Sequence, residues 1–273
     1  MHLVVLTAVL AFGTPRTSLA LPVPARPAPA LAAAALDPAE RVVVTTEDKL
    51  SLAGSYWAPK SKQAAPGALL VHGAGGKRGD LEDFAQRLNK IGFAVLAIDL
   101  RGHGESATES SDWSKLDSGD RERLWAFCTR DVKAGTEFLR QQKDVHSSSL
   151  VLVGHRAGAT LIARHAVRDE DVRAIAVLDP PSDGAQMYGF HLDKDIQDLR
   201  GLPTYISVPK DGREVAQRMA DGGSQANGGL EFVQISVFRG ESQELLSDAR
   251  EAAEVCKWLK ERSFPSKSRG PRR

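Results

Sequence analysis

The amino-acid sequence predicts an α/β fold, a doubly wound and mostly parallel sheet with an antiparallel hairpin at its N-terminal edge. From residue 67 onward, short apolar runs of strand type alternate with amphipathic runs of helical period. Six of these strand runs are almost continuously apolar, which is typical of parallel strands covered by helices on both faces. Before them, two β-rich runs meet at Glu47-Asp48-Lys49, a junction that predicts a hairpin turn.

The predicted elements fill residues 41–262. After the hairpin, the predicted strands are 67–73, 93–100, 150–154, 173–180, 202–208 and 230–238. The predicted helices are 80–92, 120–142, 159–168, 212–220 and 243–262. The first helix begins at Asp80 as its cap and ends at Gly92, because Asp satisfies free N–H groups and Gly adopts the left-handed conformation that ends helices.

Length and composition indicate one large globular domain. The chain has 273 residues, of which 42% are hydrophobic, and a formal net charge of +1. That balance gives no reason to expect a nucleic-acid partner. No apolar run reaches the roughly 18 residues that span a bilayer. Two cysteines are too few for a disulfide framework.

The two ends of the chain are predicted to lie outside the domain at residues 40–263. Residues 1–20 combine an apolar core, Leu3 to Phe12, with a small-x-small cleavage site, Ser18-Leu19-Ala20. This pattern predicts a signal peptide and export to the periplasm or beyond the cell; the alternative is an unstructured Ala-rich terminus. The Pro/Ala-rich stretch 21–39 is predicted to be a linker, and 264–273 a basic disordered tail.

Functional residues in such a sheet are expected at the carboxyl ends of its strands. The segments at those ends are His72 to Gly76, Asp99 to Ser106, Gly154 to Gly158, Asp179 to Pro181, Pro209 to Asp211, and Arg239 to Ser242. The third reads Gly-His-Arg-Ala-Gly between a strand and a helix, with Arg156 at its centre.

Three of these stretches, VHGAGG, AIDLRGHGES and VLVGHRAGATLIARHA, together resemble the α/β-hydrolase superfamily. The resemblance is to small bacterial members related to dienelactone hydrolases, acyl esterases and serine aminopeptidases, and it covers residues 40–262. It implies a nucleophile elbow at Arg156, a triad acid at Asp211 and a triad histidine position at Glu241. It also implies oxyanion-hole N–H groups at Ala74 and Ala157.

The substitutions at two triad positions predict that serine hydrolysis is lost. A guanidinium stays protonated, so Arg156 can neither attack a carbonyl nor accept a proton. No histidine follows Asp211 in the sequence. We expect Arg156 to form a charge-assisted network with Asp211 and Glu241; the alternative is that its side chain extends into solvent.

The leading interpretation is a pseudo-hydrolase that binds a small or anionic ligand, or a protein. The alternatives are an active hydrolase of small esters or amides with non-standard catalytic groups, and a purely interaction or structural role in which the pocket is filled. Segment 180–202 is too short for a large cap. No cofactor is predicted, because the phosphate-loop and dinucleotide patterns are incomplete. No metal is predicted either, because the adjacency of the strand-end histidines does not by itself give tetrahedral geometry. Candidate residues for the pocket are His72, Gly73, His103, His155, Met187 and Tyr188.

Overall fold

The computed structural model describes residues 38–61, 63–181, 186–240 and 245–263. The predicted signal peptide at 1–20, most of the predicted linker at 21–39 and the predicted basic tail at 264–273 lie outside these ranges. The predictions made for those segments therefore stay predictions.

An eight-stranded sheet forms the centre of the domain. In chain order its strands are β1 (Glu40–Thr45), β2 (Ser51–Trp57), β3 (Ala65–Val71), β4 (Ala94–Ile98), β5 (Val145–His155), β6 (Val172–Leu178), β9 (Thr204–Pro209) and β10 (Val233–Phe238). The spatial order is β1-β2-β4-β3-β5-β6-β9-β10. Strand β2 is antiparallel to β1 and β4, and the other pairs are parallel. The predicted fold class is confirmed.

The burial of each strand follows from its place in the sheet. Strands β3 and β4 are buried at every position, as expected for apolar parallel strands with helices on both faces. Strand β1 lies at the edge, where most of its residues are exposed, including Val43 at 65%. The hairpin predicted at Glu47-Asp48-Lys49 joins β1 to β2, and Lys49 takes the positive φ of 66° that the turn needs.

Six helices cover the sheet: α1 (Glu82–Lys90), α2 (Ser118–Gln141), α3 (Gly158–Ala166), α4 (Leu192–Gln197), α5 (Arg213–Ala226) and α6 (Ala249–Arg262) within the described residues. Asp117 and Asp248 cap α2 and α6 by accepting backbone N–H bonds. Asp80 does not cap α1 directly. It lies in a 3-10 turn, Arg78–Leu81, and the α-helix starts after that turn.

The helices divide between the two faces of the sheet. Buried residues of α2, α3, α4 and α5 join one hydrophobic cluster, and those of α1 and α6 join the other. Cys128 on α2 and Cys256 on α6 are therefore on opposite faces, and both are free thiols. None of the helices in the described part of the chain is long and apolar enough to cross a bilayer.

The segment between β6 and β9 is short, and its described part holds only small elements. Two-residue strands β7 (Gln186–Met187) and β8 (Phe190–His191) pair in antiparallel fashion, and α4 follows directly. Phe190, Leu192 and Ile196 are buried against the body. This part of the chain is a minimal cap that lies near the carboxyl edge of the sheet.

Candidate functional site

The centre of the candidate site is the sharp turn between β5 and α3. Arg156 occupies this turn with a φ of +50°, a conformation that costs a non-glycine residue about 1–2 kcal/mol. The flanking glycines are needed for close packing. A Cβ at Gly154 would lie 2.7 Å from the Ala159 backbone, and one at Gly158 would lie 2.5 Å from the His72 carbonyl oxygen. The turn thus has the geometry of a nucleophile elbow, with arginine in the exposed central position.

Arg156 forms an ion pair with Asp179, which follows the neighbouring strand β6. Its Nε donates to Oδ2 of Asp179 over 3.1 Å, and the Arg156 backbone N–H donates to the Leu178 carbonyl over 2.8 Å. The Asp179 side chain is 10% exposed and the Arg156 side chain is 48% exposed. Asp179 also has a positive φ, 51°, so two backbone-strained residues face each other across adjacent strand ends.

The predicted network of Arg156 with Asp211 and Glu241 is therefore wrong as far as Asp211 is concerned. Among the described residues, the carboxylate within 4.0 Å of the Arg156 guanidinium belongs to Asp179 and not to Asp211. The reason is the strand order, since β6 adjoins β5 whereas Asp211 follows β9, one strand further away. Glu241 lies outside the described residues, so its part of the prediction stays open.

A cleft of about 370 Å³ opens at the elbow. Five of the candidate site residues implied by the resemblance or proposed for the pocket line it: Ala74, Arg156, Ala157, Tyr188 and Asp211. The rest of the described lining consists of Asp179 and of residues near the ends of β6 and β9, mainly prolines and valines. The walls are thus largely apolar, with one cation and two carboxylates among the described lining residues.

The predicted pocket residues His72 and His103 do not line the cleft but lie buried beside it. Nε2 of His72 accepts the Leu100 N–H over 3.1 Å, so its Nδ1 carries the proton and donates to the Gly73 carbonyl over 2.7 Å. Burial lowers the pKa of His72, and it lowers the pKa of His103 to about 4. Both rings are therefore neutral near pH 7 and act as buried polar supports of the loops.

Gly73 and His155 are also absent from the cleft lining, although both adjoin the elbow. A Cβ at Gly73 would approach the Arg156 Cβ to 3.1 Å, so a larger residue here would require its neighbours to shift by a few tenths of an ångström. Burial and, after it, the charge of Arg156 lower the pKa of His155 to about 4. Met187 lies in β7, but its side chain is outside the described atoms.

Aromatic rings connect the cleft with the interior. The Tyr188 ring, which lines the cleft, meets Trp113 edge to face at 5.2 Å between centroids, and Trp113 packs on His103 at 4.6 Å. Sequence reasoning missed Trp113 and the ion-pairing role of Asp179. Asp179 was visible only as a strand-end residue, and its adjacency to Arg156 depends on the pairing of β5 with β6.

No group of three His, Cys, Asp or Glu side chains in the described part of the chain is arranged to hold a metal ion. His72 and His103 lie close together, with 5.1 Å between ring centroids. Nδ1 of each ring, however, is engaged with a backbone carbonyl. The cleft itself offers carboxylates only from Asp179 and Asp211 among its described lining residues.

The strand order, the two-faced helical cover and the strand–turn–helix elbow define the α/β-hydrolase fold. The family model described as serine aminopeptidase, S33, matches residues 64–198. Two curated relatives, from the CDC 1551 and H37Rv strains of Mycobacterium tuberculosis, are each 29% identical over 141 residues. Both carry the name uncharacterized protein. The match spans 51% of this chain and only 46% of each relative.

Solved structures show the same fold at low sequence identity. The esterase Pf2001 of Pyrococcus furiosus superposes with a TM-score of 0.65 at 18% identity, covering 83% of this chain and 91% of the esterase. Est1E of Butyrivibrio proteoclasticus, solved with ferulic acid, has a TM-score of 0.61 at 14% identity, covering 81% and 95%. At these identities the likeness concerns the fold alone.

Proposed function

We propose that this protein uses its α/β-hydrolase cleft to bind a small, mainly apolar molecule and does not hydrolyse esters by a serine–histidine–acid mechanism. The observation that carries the proposal is Arg156 itself. It stands at the elbow with a φ of +50°, its Nε is bonded to Asp179, and it lines the cleft. A side chain that is permanently protonated occupies the position from which a hydroxyl would attack.

The chemistry of the cleft supports loss of the triad reaction. Acyl transfer needs an oxygen or sulfur nucleophile and a base whose pKa is near neutrality. A guanidinium, with a pKa above about 12, supplies neither. Removing a complete triad from a serine protease costs on the order of a millionfold in kcat. The backbone N–H groups of Ala74 and Ala157 would remain as donors for a ligand carbonyl, because both residues line the cleft.

The size and charge of the cleft favour a small ligand that carries a neutral acceptor group. Its 370 Å³ lies near the lower end of the range for small-molecule sites, roughly 300–1,000 Å³. Alanine, proline and valine side chains supply apolar contacts. Arg156 would attract a carboxylate, but Asp179 and Asp211 in the same lining oppose it. We therefore propose that the ligand is a small amide or ester rather than a free carboxylic acid.

Phenylacetamide and phenylacetate are suitable probes of this proposal, because they share a ring and differ in charge. We expect phenylacetamide to bind the full chain more tightly in an NMR titration, and Arg156→Ala to weaken its binding at least fivefold. Arg164→Ala is the matched control, since Arg164 forms a similar pair with Asp195, Nε to Oδ1 at 2.7 Å, and does not line the cleft. Equal binding by wild type and Arg156→Ala would contradict the proposal.

Turnover of p-nitrophenyl butyrate separates binding from catalysis. We expect the wild type to hydrolyse it no faster than Arg156→Ala does. Arg156→Ser alone should stay inactive because the base is also missing, whereas Arg156→Ser with Glu241→His restores two triad groups. A wild-type rate comparable with that of an intact serine esterase would overturn the loss of triad chemistry. If Asp211→Asn abolished that rate, the protein would be an active hydrolase with non-standard groups.

A further inference from the structure

A second cavity lies in a groove between α1 and α6, on the face of the sheet opposite to α2–α5. Its volume is about 420 Å³, and it shares no described lining residue with the cleft at Arg156. Its apolar lining comes from Ile91, Ala253 and Cys256. Its charged lining comes from Arg87 and Lys90 at the end of α1, and from Lys257, Lys260 and Glu261 on α6. We call this cavity the α1–α6 groove.

The cations of the α1–α6 groove are not neutralised by nearby acids. Among the described residues, no carboxylate oxygen lies within 4.0 Å of a charged nitrogen of Arg87, Lys90, Lys257 or Lys260. The single acid of the lining, Glu261, pairs with Arg262 at 3.3 Å. Four cations and one acid leave the lining with a net formal charge of +3, although the whole chain has +1. Positive charge is thus concentrated at this groove.

Two of the cations contact the protein interior beside the groove. Nε of Arg87 is buried and has no hydrogen-bond partner among the described residues. Nζ of Lys260 lies 5.4 Å from the centroid of the Phe93 ring, a cation–π contact that keeps the ammonium group beside the groove. Positive charge and apolar surface therefore meet in one molecule-sized cavity.

We propose that the α1–α6 groove binds a small amphipathic anion, a medium-length aliphatic chain that ends in a carboxylate. The chain would lie on Ile91, Ala253 and Cys256, and the carboxylate would accept hydrogen bonds from the surrounding arginine and lysines. A volume of 420 Å³ suits a ligand with a body of roughly eight to twelve carbon atoms. The site is independent of the ligand proposed for the cleft.

A soluble ligand fits these observations better than a membrane surface does. Membrane docking uses several protruding apolar side chains beside the cations. Within the groove's lining, Ile91 is the one large hydrophobic residue that is exposed, at 39%. The other exposed large hydrophobic residues of the described chain are Val43, Phe127 and Leu230, which lie outside α1 and α6. Within the groove's lining, the number of exposed large apolar side chains is therefore smaller than membrane docking uses.

Octanoate is the probe for this proposal, and 1-octanol is its uncharged counterpart. In isothermal titration calorimetry with the full chain, we expect octanoate to bind at least tenfold more tightly than 1-octanol. The double variant Lys90→Glu/Lys257→Glu should weaken octanoate binding at least tenfold, because two attractions become repulsions. Both lysines are exposed, so folding should be unaffected, and equal thermal midpoints would verify this. Raising the salt concentration should weaken the binding of octanoate but not that of 1-octanol.

Two controls assign the binding to the groove. Lys194→Glu/Arg218→Glu makes the same charge change at exposed positions on α4 and α5, and should alter octanoate affinity less than twofold. Arg156→Ala should also leave it within twofold. Absence of octanoate binding, or unchanged binding in Lys90→Glu/Lys257→Glu, would overturn the proposal. So would a result in which these lysines are needed only for binding to phosphatidylglycerol vesicles, because the occupant would then be a membrane.

Discussion

At the scale of single residues, the elbow depends on the absence of side chains at its glycines. A Cβ on Gly158 would lie 2.5 Å from the His72 carbonyl oxygen and 2.6 Å from that of Val71. Both oxygens belong to β3 or to its exit, which the sheet fixes in place. We expect Gly158→Ala to destabilise the protein by about 2–4 kcal/mol, measured as the free energy of unfolding in urea.

Gly79→Ala is the matched control, because its Cβ would meet only the flexible end of Lys77, at 3.8 Å. This substitution should change the free energy of unfolding by less than about 0.5 kcal/mol. Equal stabilities of the two variants would show that the elbow can relax around an added methyl group. That outcome would contradict the view that close packing dictates the Gly-x-Arg-x-Gly pattern.

The elbow was predictable from sequence because its requirement is local, whereas the partner of Arg156 was not. Two glycines, a preceding apolar strand and a following helix all lie within a short stretch around Arg156. Asp179 is 23 residues away, and its contact with Arg156 arises only from the pairing of β5 with β6. The resemblance to the α/β-hydrolase superfamily implied Asp211 as the acid, and the structure places Asp211 in the same cleft without an ion pair to Arg156 among the described residues.

At the scale of secondary-structure elements, Asp169 connects α2 to α3 in the turn before β6. Its carboxylate accepts hydrogen bonds from Arg140 of α2, at 2.6 and 2.5 Å, and lies 2.8 Å from Nε2 of His165 of α3. Burial by itself would raise the pKa of Asp169, but these bonds outweigh it and lower the pKa from 3.8 to about 2. Folding therefore stabilises the ionised form of Asp169 relative to its protonated form.

A carboxyl group with a depressed pKa stabilises the fold above its unfolded pKa, and that contribution is lost as the pH falls towards the folded value. We expect Asp169→Asn to cost about 1–3 kcal/mol at pH 7, and the difference from wild type to shrink between pH 4 and pH 2. Urea unfolding of both proteins across this range measures it. Glu170→Gln, an exposed neighbour, should show no comparable difference. If the difference in unfolding free energy between wild type and Asp169→Asn stayed constant with pH, the stabilising role of the ionised Asp169 would be contradicted.

Strong periodicity made the long elements predictable, and tertiary packing decided the rest. All six parallel strands were expected, because each is a compact apolar run. The two-residue strands β7 and β8 were missed, since so short a pair carries no periodicity. Helix α5 was expected to end at Ala220 but continues through Gly222 and Gly223 to Ala226. Gly223 packs against Phe232 and Ile196, and this burial outweighs the poor helix propensity of glycine.

At the scale of the whole molecule, one buried ion cluster joins the antiparallel edge to the helical layer. Arg101, in the loop after β4, donates its backbone N–H and its Nε to Asp131 of α2, each over 2.8 Å. Its Nη1 donates to Oδ2 of Asp48 in the β1–β2 turn over 2.9 Å. Asp131 is fully buried and Arg101 is 6% exposed. The sequence did not reveal this cluster, because its members come from three elements that meet only in the folded chain.

Removing one partner of the buried Arg101–Asp131 pair should destabilise the protein more than removing both partners. Asp131→Leu leaves the Arg101 guanidinium with less compensation in a buried site, and we expect it to cost about 3–5 kcal/mol. The double variant Arg101→Met/Asp131→Leu also removes the buried guanidinium charge. Asp48 keeps its hydrogen bond from Arg130, at 3.1 Å. The double variant should therefore be more stable than Asp131→Leu in urea unfolding.

The control is Arg130→Met, which breaks only the half-exposed ion pair between Arg130 and Asp48. It should cost no more than about 1 kcal/mol. If the double variant were instead less stable than Asp131→Leu, Arg101 would hold the hairpin edge mainly through Asp48, and the buried pair would not be the link between the two layers.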